Sequence, residues 1–286
     1  MRLMNKILKG AETYANAYID DIIVYSTTFD DHIKHLTDVF QRIREAGMTA
    51  RPKKCSVGYT ETSYLGYSIG CGMLKPEELK VKAIQDFPRP VTKSEVRSML
   101  GLFVYYQKFI ANYADITAPL TDLTKKNAPT TVSWTTKCEQ SFKAVKEMLS
   151  SSPVLSIPDF SKPFLVQTDA SDIGLGVILS QVGTGGEEHP ICYLSRKLLP
   201  RERNYSVIEK ECLAIVWGLN LLAPYLMGQP FIVQTDHNPI RWLHSFRNKN
   251  QRLMRWSLLL QDFDFKIVHK KGSLHLNVDA LSRSGV

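Results

Sequence analysis

Apolar residues recur along this chain at two periods, and the switches between them lay out its elements. In 205–222, Ile208, Cys212, Ile215, Val216 and Leu219 fall at helical spacing, whereas 164–168 and 231–235 are short, strand-like apolar runs. Gly174 and Gly176 suggest that a first hairpin turns tightly, and the glycines of 183–186 mark a longer loop. Leu253, Trp256, Leu259 and Leu260 fit one buried helical face. Nearer the start, Leu3, Met4, Ile7 and Leu8 predict a short amphipathic helix within 1–15. His32, Ile33, Leu36, Val39, Phe40 and Ile43 predict a second over 30–46, with Asp30 or Asp31 as its cap and Gly47 as its stop. Residues 64–70 read as a strand in which Gly66 permits a bulge or a close backbone approach. Helical patterns at 76–87 and 93–110 are separated by Pro88 and Pro90, and two more follow at 113–126 and 134–149. The stripe Phe103, Tyr105, Tyr106, Phe109 predicts core rather than a base-stacking platform.

Carboxylates punctuate this pattern. Asp169 and Asp236 each end a strand-like run, Glu211 lies inside a helical one, and Asp279 stands near the end of the chain. Each alone reads as an ordinary turn or surface acid. A mixed α/β fold that gathered all four would hold divalent cations, which bind carboxylate oxygens. Upstream, Asp20 and Asp21 interrupt an apolar stretch. Two adjacent acids there are costly unless they tip a hairpin or meet cations.

The motifs become specific when taken in order. TDAS (168–171), GLGVILSQ (174–181), HPICYLSRKL (189–198), NYSVIEKECLAIVWGL (204–219), FIVQTDHNPIRWL (231–243) and NVDALSR (277–283) together resemble the ribonuclease H domain of gypsy-type LTR retrotransposon Pol polyproteins. YIDDIIVYS (18–26) resembles the catalytic turn of the reverse transcriptase palm, so the likeness covers nearly the whole chain. It implies a partial palm over 1–75, a helical thumb or connection region over 76–152, and a ribonuclease H-like domain over 153–286, with the boundary in the proline- and serine-rich 150–163. The implied class is α/β: three antiparallel strands near 164–169, 175–181 and 190–195, a helix over 203–222, a fourth strand over 231–236, helices near 238–262, a fifth strand over 263–268 and a C-terminal helix.

The resemblance also assigns roles. Asp169, Glu211, Asp236 and Asp279 become ligands of two Mg²⁺ (Mn²⁺ as a substitute), held about 4 Å apart to hydrolyse the RNA strand of an RNA–DNA hybrid. Glu211 is preferred to Glu209 because the family's glutamate opens a Glu-x-x-Ala-Ile run, matched from 211 to 215. His269 aligns with a mobile catalytic histidine, and many gypsy-type relatives carry tyrosine there. Asp20 and Asp21 become polymerase metal ligands, and Tyr18 lies against a primer end. The chain opens about one helix before that turn, so the resemblance implies a reverse transcriptase portion that does not polymerise DNA alone. Arg196, Lys197, Arg201 and Arg203 around the glutamate-bearing helix are candidates for phosphate contact, as are Lys93, Arg97 and Lys108 in the thumb-like helix. The competing reading is a catalytically silent remnant that binds nucleic acid at most.

Composition narrows the setting. A 44% hydrophobic, 22% charged chain of 286 residues builds folded cores rather than a disordered tract, and a net charge of +8 suits a polyanionic partner such as a hybrid or a primer–template. The five cysteines are scattered, which argues against a disulfide framework or structural zinc and fits a reducing intracellular setting. No run approaches the roughly 20 apolar residues of a membrane span, and no signal peptide is legible. Other polyprotein segments are the remaining expected partners.

Overall fold

The computed structural model describes residues 2–235 and 251–269. Its backbone divides into two compact units, Met1–Gly72 and Met73–Val286.

The first unit opens with α1 (Arg2–Ile7), shorter than the apolar pattern predicts because the chain turns at Gly10, whose φ is +88°. β1 (Ala15–Tyr18) and β2 (Asp21–Val24) follow as an antiparallel hairpin with Tyr18 opposite Asp21. α2 (Phe29–Glu45) packs Val39 and Ile43 against Met4, Leu8, Ala11, Ala15 and Ala17 to make a small core. Its cap is Thr28 rather than either aspartate: the Thr28 hydroxyl accepts the Asp31 N–H at 3.2 Å, which leaves Asp30 and Asp31 in the first turn, where acids favour the helix dipole. Gly47 stops the helix at φ +68°, as its position suggests. The stretch 64–70 is not one strand. β3 (Glu61–Tyr64) and β4 (Tyr67–Gly70) form a hairpin around Leu65 and Gly66, both at positive φ (51° and 72°), so Gly66 serves the turn and no bulge.

The second unit begins with β5 (Met73–Pro76) and continues through α3 (Glu78–Gln85), α4 (Lys93–Tyr105), α5 (Tyr113–Ile116), α6 (Ala118–Asp122) and α7 (Thr136–Ser150). Thr92 and Glu95 cap α4 reciprocally, and Phe103, Tyr106 and Phe109 are buried while Tyr105 remains exposed. Three of the four stripe aromatics are therefore core. β6 (Leu155–Ser156) pairs antiparallel with β5.

β7 (Phe164–Ala170), β8 (Gly174–Val182) and β9 (Glu188–Lys197) then form an antiparallel meander. α8 (Val207–Leu226) crosses over to β10 (Phe231–Thr235), which lies parallel to β7, and α9 (Gln251–Leu259) leads to β11 (Phe265–His269), parallel to β10. The sheet order is β11-β10-β7-β8-β9. This is the mixed α/β architecture expected. The helix over 203–222 starts four residues late because Ser206 and Glu209 form a capping box that fixes its first turn at Val207, and 202–204 are a separate 3-10 turn. The last helix of the expected scheme lies outside the described residues.

α8 buries Ile215, Val216, Leu219, Leu222 and Leu226 against Phe164, Val166, Val177, Leu179 and Val233. The approach is close at Gly218, where an added Cβ would stand 2.7 Å from Val177 Cγ2. A Gly218→Val chain should lose about 2–3 kcal/mol through overpacking, read as a lower urea midpoint with an unchanged slope.

Candidate active site

Three parallel strands lie side by side. The register pairs Thr168 with Thr235 and Thr235 with His269, so one residue from each of β7, β10 and β11 stands in a row at one edge of the sheet. Neighbouring strands lie about 4.8 Å apart, which sets the Thr168 and His269 backbones roughly 10 Å from one another. Asp169 follows Thr168 immediately and is exposed, and His269 is exposed as well. The Thr168 and Thr235 hydroxyls are buried and have no hydrogen-bond partner among the described residues. Asp236 and Asp279 lie outside the described residues.

Glu211 lies on α8 and is 1% exposed. Its neighbour Glu209 has other work. The Glu209 carboxylate accepts the Ser206 N–H at 3.0 Å in the capping box and pairs with Arg252 of α9 at 2.8 Å. Arg252 in turn lies 3.9 Å over the Tyr205 ring. Two acids two positions apart on one helix are thus separated into a structural one and a buried one. Burial, reinforced by the charges of Glu211 and Glu209, pushes the Cys212 thiol up to about 12, so it stays protonated beside them.

Lys210, between these acids, is largely buried and donates to the Asp172 carboxylate at 2.7 Å. Asp172 lies three residues beyond Asp169, so this bond ties the turn after β7 to the α8 turn that carries Glu211. The Lys210 ammonium holds the Asp172 carboxyl below its usual range. On the far side of the turn, Asn112, Asp115, Asp169, Ser171, Gly174, Gly176 and Ser195 line a crevice of about 10 Å³.

The basic cluster is largely committed to the protein itself. Arg196 makes a bidentate pair with Glu202, at 2.6 and 3.1 Å, and lies 5.4 Å from the Trp217 ring centre. The Lys197 ammonium donates to the Ala118 carbonyl, the Thr121 hydroxyl and the Asp122 carboxylate, at 3.0, 2.9 and 2.8 Å. Arg201 and Arg203 are exposed. Similarly, Lys93 donates to the carbonyls of Lys125, Lys126 and Ala128, and Arg97 to that of Thr124. Replacing Lys197 with alanine should loosen α6 from the end of β9 and cost about 1–2 kcal/mol, since three polar groups lose one charged donor. A thermal melt checks this.

In the first unit, the tip of the β1–β2 hairpin holds Ile19 at φ +56°, a strained conformation for a β-branched residue, immediately before Asp20 and Asp21. Both aspartates are exposed and line a cleft of about 550 Å³ with His32, Arg51, Lys54 and Tyr64. Burial first, then the Asp21 charge, raises the Tyr64 phenol. Tyr18 is exposed on β1, opposite Asp21.

Among the described residues, no three His, Cys, Asp or Glu side chains stand together as a set able to hold a metal. The donor chemistry around the Thr168–Thr235 pair nevertheless suits a hard divalent ion: an exposed carboxylate, Asp169, on β7 and the buried hydroxyls of Thr168 and Thr235 on adjacent parallel strands. Among the described residues, no helix is long and apolar enough to cross a membrane, and the five cysteines are free.

Comparisons with known proteins follow these two regions. The family described as reverse transcriptase (RNA-dependent DNA polymerase) matches 1–69, and the family described as the RNase H-like domain found in reverse transcriptase matches 159–263. The chain is 40% identical to the retrovirus-related Pol polyprotein from transposon 297 of Drosophila melanogaster, over 99% of its own length and 26% of the relative's. It is 36% identical to the transposon Tf2-3 polyprotein of Schizosaccharomyces pombe, over 98% of its length and 21% of that protein's. It therefore spans about a quarter of the length of these relatives. A solved structure of the foamy viral protease-reverse transcriptase in complex with RNA/DNA hybrid superposes on 95% of this chain and 37% of its own, with a TM-score of 0.81 at 24% identity.

Proposed function

This chain belongs to the Pol polyprotein family of LTR-type retrotransposons, and from that membership we propose that its second unit is a metal-dependent ribonuclease H acting on the RNA strand of RNA–DNA hybrids. The observation that carries this reading is the strand register. Thr168 and Thr235 are paired partners, and each is followed after one peptide bond by a carboxylate, Asp169 and Asp236. Asp169 stands in β7 one residue beyond that pair, and Asp236 follows the other member of the pair directly in sequence. His269 is the paired partner of Thr235 on β11, and the Lys210–Asp172 bond ties the α8 turn that carries Glu211 to the turn after β7.

In this reading Asp169, Glu211, Asp236 and Asp279 hold two Mg²⁺ or Mn²⁺, which would activate a water and stabilise the leaving 3′-oxygen. The protein's own part is to set the carboxylates. Asp169 sits in β7 and cannot shift register without flipping the whole strand. Glu211 is fixed by a capped helix whose first turns are pinned by the Glu209–Arg252 pair. His269 would move a proton near the leaving group. Arg203, exposed beside the capped end of α8, takes the phosphate-contacting role better than Arg196 or Lys197, whose charges are already engaged. The domain scheme of 1–75, 76–152 and 153–286 accompanies this assignment.

For the first unit we infer a reverse transcriptase palm portion, with Asp20 and Asp21 as metal-binding carboxylates and Tyr18 beside a primer end. The exposed hairpin tip, its strained Ile19 and the cleft beside it support this.

Strand selectivity tests the nuclease reading. With Mg²⁺, the chain should cut a hybrid labelled on its RNA strand, leave the same hybrid labelled on DNA intact, and lose the cutting when Asp169 is replaced by asparagine. A chain that binds hybrid in a salt-dependent way but cuts neither strand would be the silent remnant instead.

A further inference from the structure

We propose that Asp115, in the helical segment preceding the sheet, is a positioning residue for Asp169 and acts through the Ser171 hydroxyl; this rests on the ribonuclease H reading above. The turn that follows Asp169 is organised by Ser171. Its hydroxyl accepts the Gly174 N–H at 2.8 Å and the Ile173 N–H at 3.1 Å, and its backbone N–H donates to the Gly174 carbonyl at 2.9 Å. The hydroxyl proton has two acceptors in reach, Asp115 Oδ2 at 2.7 Å and the Gly174 carbonyl at 3.2 Å, and the shorter bond to the carboxylate takes it. That charge-assisted bond fixes the hydroxyl rotor so that its lone pairs face the two amides. The turn is thereby held from two sides, by Asp115 of α5 and, through Asp172, by Lys210 of α8.

The strand opposite shows that α5 belongs here. Gly174 closes the tight turn on Ser171 as expected, Gly176 lies two residues further along β8, and neither has positive φ. What they provide is room. A Cβ at 174 would stand 2.3 Å from Asp115 Oδ1, and one at 176 would stand 2.9 Å from Asn112 Oδ1. Alternate positions of one strand thus lack side chains where α5 and the residue capping it approach. The Ala114 N–H donates to the Ser195 hydroxyl at 2.9 Å, which docks the same helix on β9. Tyr113 and Ala114 are buried beneath it. Asp115 lies outside 159–263, the residues that match the RNase H-like family. A piece cut to that match would keep Asp169, Glu211 and Asp236 and lose this brace.

Three substitutions in the full chain test the proposal: Asp115→Ala, Asp115→Asn and Ser171→Ala. Amide hydrogen exchange, kcat and KM on hybrid, and the Mg²⁺ concentration at half-maximal rate are read for each. Asp115→Ala should speed exchange at Ile173 and Gly174, lower kcat by about 10- to 100-fold, as loss of a group supporting a metal ligand does, and raise the Mg²⁺ half-saturation. KM should stay within about twofold, because hybrid contacts are untouched. Asp115→Asn keeps an oxygen that accepts the Ser171 proton and should recover most of the rate. Should Asp115→Ala fail to fold, Ser171→Ala, which leaves α5 intact, should show the same kcat and Mg²⁺ changes. Native exchange at Ile173 and Gly174, or faster exchange with native kcat and Mg²⁺ half-saturation, overturns the proposal. A native chain inert toward hybrid overturns the nuclease reading instead, and the exchange result still decides whether Asp115 braces the turn.

Discussion

Glu211→Gln should abolish hybrid cleavage and leave the fold standing. The side chain is 1% exposed on a helix whose start is fixed by a capping box two residues away, and the amide has nearly the carboxylate's volume. Packing and helix geometry therefore survive, so the chain should still melt cooperatively near the native temperature. What disappears is the charge that would hold a cation at the strand edge. Losing such a preorganised charge should lower kcat by at least about 10²–10³-fold. Glu209→Gln is the matched control. Glutamine can still complete a capping box, and the lost pair with Arg252 is half-exposed, so cleavage should stay within a few-fold of native. Equal losses in the two variants would mean that the helix start, and not a catalytic carboxylate, had been disturbed.

The second large effect falls on stability. Arg196→Ala leaves Glu202, whose side chain is 7% exposed, without the two guanidinium bonds that compensate its burial. It also takes the guanidinium away from Trp217. Breaking one side of a buried pair costs about 3–5 kcal/mol, because the surviving charge stays desolvated. The partial exposure of Arg196 places the expected loss near the lower end, at about 3 kcal/mol. The double variant Arg196→Met with Glu202→Leu should lose less than Arg196→Ala alone. The pair also predicts a pH dependence. Burial alone would raise the Glu202 carboxyl, but the Arg196 bonds, the Leu199 N–H and the nearby arginine charges outweigh it and hold the group below 4.5. A depressed folded pKa contributes stability that is complete above the unfolded value and is lost as pH falls through the folded one. Native stability should therefore decline below about pH 4.5, and Arg196→Ala should flatten that decline. Urea midpoints across pH 3–7 measure both.

The strands and the long helix were legible because each rests on local pattern, whereas the choice of Glu211 over Glu209 came from the Glu-x-x-Ala-Ile run of the family resemblance. Apolar runs ending in Asp169 and Asp236 and the 3.6-residue period through Leu219 need no distant partner to be read. What escaped depended on contacts far apart in the chain or on backbone angles. Lys197 looks like a free surface cation until α6, some 75 residues upstream, supplies its three acceptors. Gly174 closes the turn as read, but nothing near Gly174 or Gly176 in sequence reveals that Asp115 and Asn112 need the space. Leu65 at positive φ splits an apparent strand in two, since leucine rarely signals such a turn. Thr28 displaced two neighbouring aspartates as a cap, a choice among good capping residues that local chemistry leaves open.

The most direct test is cleavage of an RNA–DNA hybrid, labelled on its RNA strand, by the native chain and by Asp236→Asn over a Mg²⁺ titration. The native chain should cut with a saturable dependence on Mg²⁺. The variant, lacking the charge one bond beyond Thr235, should fall at least about a hundredfold at every concentration while binding hybrid as before. Cleavage that persists undiminished in Asp236→Asn would contradict the assignment of the strand edge as the catalytic site.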